Sequence, residues 1–319
     1  MMRNTMLGFT VLAASTVANA QTFPTKPIRI LVPFAAGGVA DITARVVAQR
    51  LSETMGQQVI VDNRPSAGAV VATDAVVKAE PDGHTLLLMS NGNAVSATLM
   101  KSLPFDTVAD LAPISTLGYF DIFVVVNGDS QFKSMADLLS FARANPGKLN
   151  IGTISIGSTQ HLSAELFKSM SGIDVQTVPF RASPQVVTAL RGNDIQAAFE
   201  ILAPVAAQVR GGQLRALGVT ANRRFEGMPS VPTVAESGVA GYQASSWNAL
   251  AAPAKTPRAV IDRLNKEIST ALAVPELRQR LQELGVEARA SSPDALRDLL
   301  ASEISKWRAV IERAKIERQ

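Results

Sequence analysis

Two stretches of the chain place a glycine turn between an apolar run and a helix-forming run: LVPFAAGGVADITARVVAQRL at 31–51 and LNIGTISIGSTQHLSAELF at 149–167. A strand that passes through glycine into a helix aims bare backbone N–H groups, and the positive end of the helix dipole, at whatever lies in front. The chemistry of such a place is the holding of an anion. A phosphate loop needs G-x-x-x-x-G-K-[ST]; Gly152 and Gly157 have the spacing, but Ser158-Thr159 follow without a lysine. Neither turn supplies the G-x-G-x-x-G of a dinucleotide site. Thr153-Ile154-Ser155-Ile156-Gly157 resembles a G-x-S-x-G nucleophile elbow whose first glycine is replaced, yet the two histidines, His84 and His161, do not follow Ser155 in the Ser, Asp, His order of that fold. Two histidines, no cysteine and no clustered carboxylates leave no metal-ligand set.

Several side chains at the turns have two readings. Asp41, at the start of a helix, either caps N–H groups or contacts ligand. Ser158 and Thr159 either cap or donate to a ligand, and His161 either bonds locally or lines a cleft. Gly37 and Gly38 are positions where a side chain would fill the space of the bound anion or clash at positive φ.

These turns need strands and helices to hold them. Residues 28–34 and 58–61 read as buried strands flanking a helix over 41–55, whose Ala44, Val47, Ala48, Leu51 and Met55 share one face. After loop chemistry at 63–68 and a turn at 81–83, residues 84–89 read as another strand. A second unit of the same plan starts at Leu149, with Gly172 as helix stop and a strand resuming at 173–178. Long β-prone runs at 114–127 and 242–252 predict two crossings between halves, hence a hinge. Helices are predicted over 259–273, 275–284 and 293–316, the last with an apolar stripe of Leu296, Leu299, Leu300, Ile304, Trp307, Val310 and Ile311 that serves core packing.

The 319 residues suit about two domains. Residues 1–20, MMRNTMLGFTVLAASTVANA, combine Arg3, an apolar core from Leu7 to Val17 and a small-x-small end at Ala18-Asn19-Ala20, which reads as a cleaved secretory signal. The net charge of +4 falls to +3 without Arg3, and no basic cluster recurs, so a nucleic-acid partner is not expected. With no cysteine there is no disulfide, no thiolate metal site and no lipid-modified cysteine, so the mature protein is expected to be free in its compartment.

In order, RILVPFAAGGVADITARVVAQRL, VDNRPSAG, PDGHTLLL, IGSTQHLSAELF, VPFRASP, GGQLRALGVTANRR and WNALAAPAKTP resemble the Bug family, the extracytoplasmic solute-binding proteins of tripartite tricarboxylate transporters. The resemblance runs from about Pro24 to the end. It implies an α/β, two-lobed periplasmic-binding-protein fold of type II (Venus flytrap), hinged on crossing strands, with lobe 1 over 21–121 and 241–319 and lobe 2 over 122–240. It implies a monomer in the Gram-negative periplasm that captures a small carboxylate, with no enzyme activity, cofactor or metal, and delivers it to membrane permease subunits. Carried over by position, the ligand contacts are Phe34, Ala36, Gly37, Gly38 and Asp41 from lobe 1. From lobe 2 they are Thr153, Ser155, Gly157, Ser158, Thr159, His161, Arg181 and Ala182. The stretch 90–95 is read as a loop whose Asn91 and Asn93 either meet the distal end of the ligand or shape the turn. The chain departs from the family pattern at Ser155 and Ala182, where glycine is usual, and at Ser66-Ala67-Gly68-Ala69. Alternative functions are a binding protein that reports to a sensor kinase and a secreted hydrolase using Ser155.

Overall fold

A computed structural model describes residues 23–154 and 156–319. The signal segment and Ser155 therefore lie outside the described residues. In chain order the elements are β1 (Ile28–Val32), α1 (Val39–Met55), β2 (Val59–Asn63), α2 (Val70–Val77), β3 (Thr85–Ser90) and α3 (Asn91–Leu99). A 17-residue strand β4 (Leu111–Asn127) leads to α4 (Met135–Ala144), β5 (Asn150–Ile154), α5 (Thr159–Ser171), β6 (Gln176–Phe180) and α6 (Ser183–Arg191). Then come β7 (Ala197–Ile201), α7 (Leu202–Arg210), β8 (Leu214–Val219), β9 (Ser245–Pro253), α8 (Arg258–Leu272), α9 (Pro275–Glu283), β10 (Val286–Ala288) and α10 (Pro293–Arg313).

Helix boundaries follow local chemistry. Helices α1 and α5 both stop on a left-handed glycine, Gly56 at φ 68° and Gly172 at φ 65°, a conformation that costs other residues energy. The expected apolar face of α1 is buried in full. The stretch expected as a loop at 90–95 is instead the first turn and a half of α3. Ser90 and Asn93 form a reciprocal capping box there, which nucleates a helix that the polar composition and Gly92 disguise.

The strands form one sheet ordered β2-β1-β3-β9-β4-β7-β5-β6, with β10 and β8 also on β4. β4 runs through both halves: residues 111–121 pair antiparallel with β9, and residues 122–127 pair with β7 and β8. The second crossing is the run into β9, where Ala244 N–H donates to Thr220 O at 2.9 Å. Ser245 Oγ, on β9, donates to Asp121 Oδ1 on β4 at 2.9 Å and ties the two crossings together. Burial pushes the Asp121 pKa up, with Ser245 opposing.

Strand direction decides where the ligand-facing edges lie. β1 is parallel to β3, β3 antiparallel to β9, and β9 antiparallel to β4, so β1 and β3 run along β4 toward the second half. β5 is parallel to β7, and β7 is antiparallel to β4, so β5 and β7 run back toward the first half. The carboxyl ends of both strand sets thus converge on the junction. Three apolar clusters support this frame. One spans both halves on the side of α2, α3, α5 and α10; one packs α1 and α8 on the first half; one packs α6 and α7 on the second.

Candidate functional site

Open α/β sheets bind ligands outside the carboxyl ends of their strands, where the chain order reverses. In the first half α1 carries the chain outward from β1 to β2, and α2 brings it back over the opposite face to β3, so the reversal lies between β1 and β3. In the second half α5 leads from β5 out to β6 and α6 returns to β7, so the reversal lies between β5 and β7. The two glycine turns leave β1 and β5 at these points and face the same junction.

The turns share a local design. Gly37 has φ +86° and its N–H donates to Asp41 Oδ2 at 2.9 Å; Gly157 has φ +82° and its N–H donates to His161 Nδ1 at 3.5 Å. In each turn a left-handed glycine is held by the residue four positions on. A Cβ on Gly37 would meet nothing within 4 Å, whereas one on Gly157 would stand 2.5 Å from Leu99 Cδ2 at the end of α3. The second turn therefore packs against the first lobe and the first turn faces open space. Gly38, read as a position where a side chain would fill the anion's space or clash at positive φ, has φ −80° and ψ 167°, ordinary extended backbone that serves as N-cap of α1, so the second alternative does not arise.

Capping separates the turns. Ser158 caps α5, accepting from His161 N–H at 3.1 Å while donating to Ile154 O at 2.8 Å, so its hydroxyl is engaged both ways. α1 has no side-chain cap. Among the described residues no acceptor serves the amides of Val39 and Ala40, in the first turn of α1. An anion seated there would supply the missing acceptors.

Asp41 does not spoil this site although it is acidic. Its Oδ1 accepts from Asn63 Nδ2 at 2.9 Å and from Arg45 Nε at 3.0 Å, while Oδ2 takes the Gly37 N–H. Burial raises its pKa, but the Arg45, Gly37 and Asn63 hydrogen bonds and the Arg45 charge outweigh that and hold it below the usual carboxylate range. Asn63 Nδ2 also donates to Phe34 O at 3.0 Å, so this last residue of β2 ties both ends of the turn. Phe34 and Ile156 are the exposed large apolar side chains of the two turns, at 38% and 49%. Ala36, Arg181 and Ala182 are exposed as well, the last as the uncapped N-cap of α6.

The remaining predicted residues are buried beneath these tips. Asn91 donates to Thr159 Oγ1 at 3.1 Å across the junction and accepts from Trp307 Nε1 at 2.6 Å; Thr159 continues to Ser246 Oγ at 3.2 Å. Asn93 caps α3 and donates to Thr73 Oγ1 at 2.9 Å. The structure thus engages both asparagines and Thr159 in protein contacts. Thr153 is fully buried and its Oγ1 has no partner among the described residues. Burial lowers the His161 pKa, with Glu165 opposing, which favours the neutral imidazole that accepts from Gly157. His84 lies at the opposite end of β3, where its Nε2 accepts from Thr25 N–H at 3.2 Å. No group of three or more metal-ligating side chains occurs among the described residues.

Sequence reasoning missed Asn63, Ser246, Trp307 and Glu200. Glu200 alone carried a readable signal, a charge ending the apolar run AAFEI of β7. A separate pocket of ≈ 90 Å³ is lined by Tyr119, Asp121, Arg223, Arg224 and Glu287. Two of its arginines are paired, Arg223 with Glu287 and Arg224 with Glu236, while Arg278, which also lines it, has no ion-pair partner among the described residues.

The model of the "Tripartite tricarboxylate transporter family receptor" matches residues 43–316. Protein BugT of Bordetella pertussis is 36% identical over 295 residues, covering 92% of this chain and 90% of BugT. Among solved structures, R. palustris Rpa4515 with adipate superposes with TM-score 0.84 at 32% identity, covering 92% of this chain and 99% of that one. MatC from Rhodopseudomonas palustris with bound malate gives TM-score 0.79 at 29% identity, covering 91% and 100%. The chain belongs to the tripartite tricarboxylate transporter receptor family and has the two-lobed fold of its solute-binding proteins.

Proposed function

We propose that this protein captures a small carboxylate between its two glycine turns in the periplasm and hands it to the permease of a tripartite tricarboxylate transporter. The observation that carries this reading is the uncapped N-terminus of α1 at the strand reversal of one lobe, facing the corresponding reversal of the other. A carboxylate there accepts from the first amides of α1 and gains from the helix dipole. Arg181, exposed at the start of α6, is a cation for a second acidic group. That relatives were solved with adipate and malate supports the same class. The change of β4 partners between Asp121 and Ile122 supports a lobe boundary at that point. Among the described residues no helix is long and apolar enough to cross a membrane.

The test is a thermal-shift panel of mono- and dicarboxylates, acidic amino acids, aromatic acids, sugars and phosphate esters on protein stripped of ligand by partial unfolding. A ligand at about 100 times its Kd stabilises by roughly 2.7 kcal/mol. At about 2–4 °C per kcal/mol the melting point rises by roughly 5–10 °C. Stabilisation by a sugar or phosphate ester and by no carboxylate would overturn the reading.

A further inference from the structure

Glu200 is the last but one residue of β7, fully buried, and sits at the reversal point of the second lobe. Its Oε1 accepts from Gln160 Nε2 at 3.1 Å and from Ile201 N–H at 2.9 Å. Ser183, the first residue of α6, lies beside it. Gln160 belongs to α5 and Ser183 to α6, and these helices cover opposite faces of the sheet. A side chain near both reaches them over the ends of the strands, so the Glu200 head group stands at the carboxyl edge that faces the junction. Its other oxygen, Oε2, has no hydrogen-bond partner among the described residues.

A fully buried carboxylate oxygen without a donor is expensive, because the desolvation of the charge is not repaid. Burial pushes the Glu200 pKa up, against the opposing bonds from Gln160 and Ile201 and the influence of the nearby Ser183 side chain. The fold nevertheless keeps this group at the carboxyl edge of the strands, on the side that faces the junction. Lobe 1 then offers bare N–H donors at α1, which hold an anion, and lobe 2 adds to the exposed Arg181 a bare acceptor at Glu200, which needs a donor.

Building on the carboxylate reading above, we propose that Glu200 Oε2 accepts a hydrogen bond from the ligand, so that the protein selects organic acids that also carry a donor, an ammonium or hydroxyl group, over plain carboxylic acids of the same length. The carboxylate sits on α1 in lobe 1 and the donor meets Glu200 in lobe 2, and one molecule satisfies both lobes on closure.

The experiment is calorimetric titration of wild type and Glu200→Gln with matched acids of four, five and six carbons: unsubstituted, 2-hydroxy and 2-amino dicarboxylates. Wild type is expected to bind a substituted acid about tenfold or more tighter than its unsubstituted homologue, the range of a charge-assisted hydrogen bond. The 2-amino arm leading identifies an ammonium partner, and the 2-hydroxy arm leading identifies a hydroxyl. Glu200→Gln keeps the oxygen that serves Gln160 and Ile201. It is expected to lose that preference about tenfold or more and to bind the unsubstituted acid at least as well, since a nearby negative charge is gone. The inference is overturned if wild type binds the unsubstituted acid as tightly as both substituted ones, or if the variant keeps the wild-type ranking. The wild-type ranking decides this even if the variant folds poorly. Binding only of carboxylates outside these sets overturns the inference and leaves the carboxylate reading standing; binding of no carboxylate at all overturns both.

Discussion

Gly38→Val separates binding from folding more cleanly than any other change at the first turn. At φ −80° and ψ 167° the backbone accepts an L side chain, and the nearest heavy atom to an added Cβ, outside its chain neighbours, is Ala35 O at 3.8 Å. Replacing an N-cap glycine by valine costs about 1 kcal/mol, which for a chain of this size lowers Tm by roughly 2–4 °C. The same side chain stands in front of α1, where the amides of Val39 and Ala40 would meet the ligand. Losing two hydrogen bonds to a charged group removes about 3 kcal/mol or more, a fall in affinity of roughly a hundredfold or greater. Gly37→Ala is the control. Its φ of +86° costs alanine about 1–2 kcal/mol in folding although its Cβ has room, so stability drops at least as far with a smaller obstruction. The assay is scanning fluorimetry of the free proteins, followed by calorimetric titration with the strongest stabiliser from the panel. If Gly38→Val folds as expected and binds within about threefold of wild type, well under one hydrogen bond to a charged group, the anion is not held on α1.

Ser158→Ala removes the α5 cap, and its hydroxyl is already spent on protein groups; it is expected to lower stability by about 1 kcal/mol with little change in affinity, read by denaturant titration and calorimetry. Trp307→Phe strips the buried Asn91 Oδ1 of its donor and is expected to cost about 1–3 kcal/mol in the same titration. For Glu200→Gln the sign with pH is fixed by the raised folded-state pKa. Above the unfolded-state pKa the native carboxylate either carries its burial penalty as an ion or takes up a proton that the unfolded chain does not. Both destabilise the native state, so at neutral pH the free variant melts at or above wild type. As pH falls through the raised folded value toward the unfolded one, wild type takes up a proton, the penalty disappears and the two melting points converge; a gap that widens toward acid contradicts this.

Periodicity made the βαβ units, the helix stops and the two crossings legible in the sequence, because each depends on residues within a turn or a strand of one another. The turns were legible for the same reason: Gly37 with Asp41 and Gly157 with His161 are four residues apart. What binds the lobes was not. Asn91 meets Thr159 across 68 residues of chain and Trp307 across 216, and only the folded sheet sets those distances. The stripe on α10 reads as core packing and is buried as such, yet its tryptophan also orients an asparagine at the junction. Helix α3 was obscured because its stability lies in a capping box, a side-chain to backbone exchange that apolar periodicity does not report. The charge of Glu200 near the end of an apolar strand is readable in the sequence, but its role is not until the helices on both faces are placed.

The central claim, a carboxylate held between the two turns, is tested most directly by a co-crystal structure with the panel's strongest stabiliser. The account predicts a ligand carboxylate within hydrogen-bond distance of the Val39 and Ala40 amides, with the rest of the molecule reaching the β5 and β7 ends of the second lobe. A ligand bound elsewhere, for example in the pocket beside Tyr119 and Arg223, or one whose anionic group turns away from α1, would contradict it.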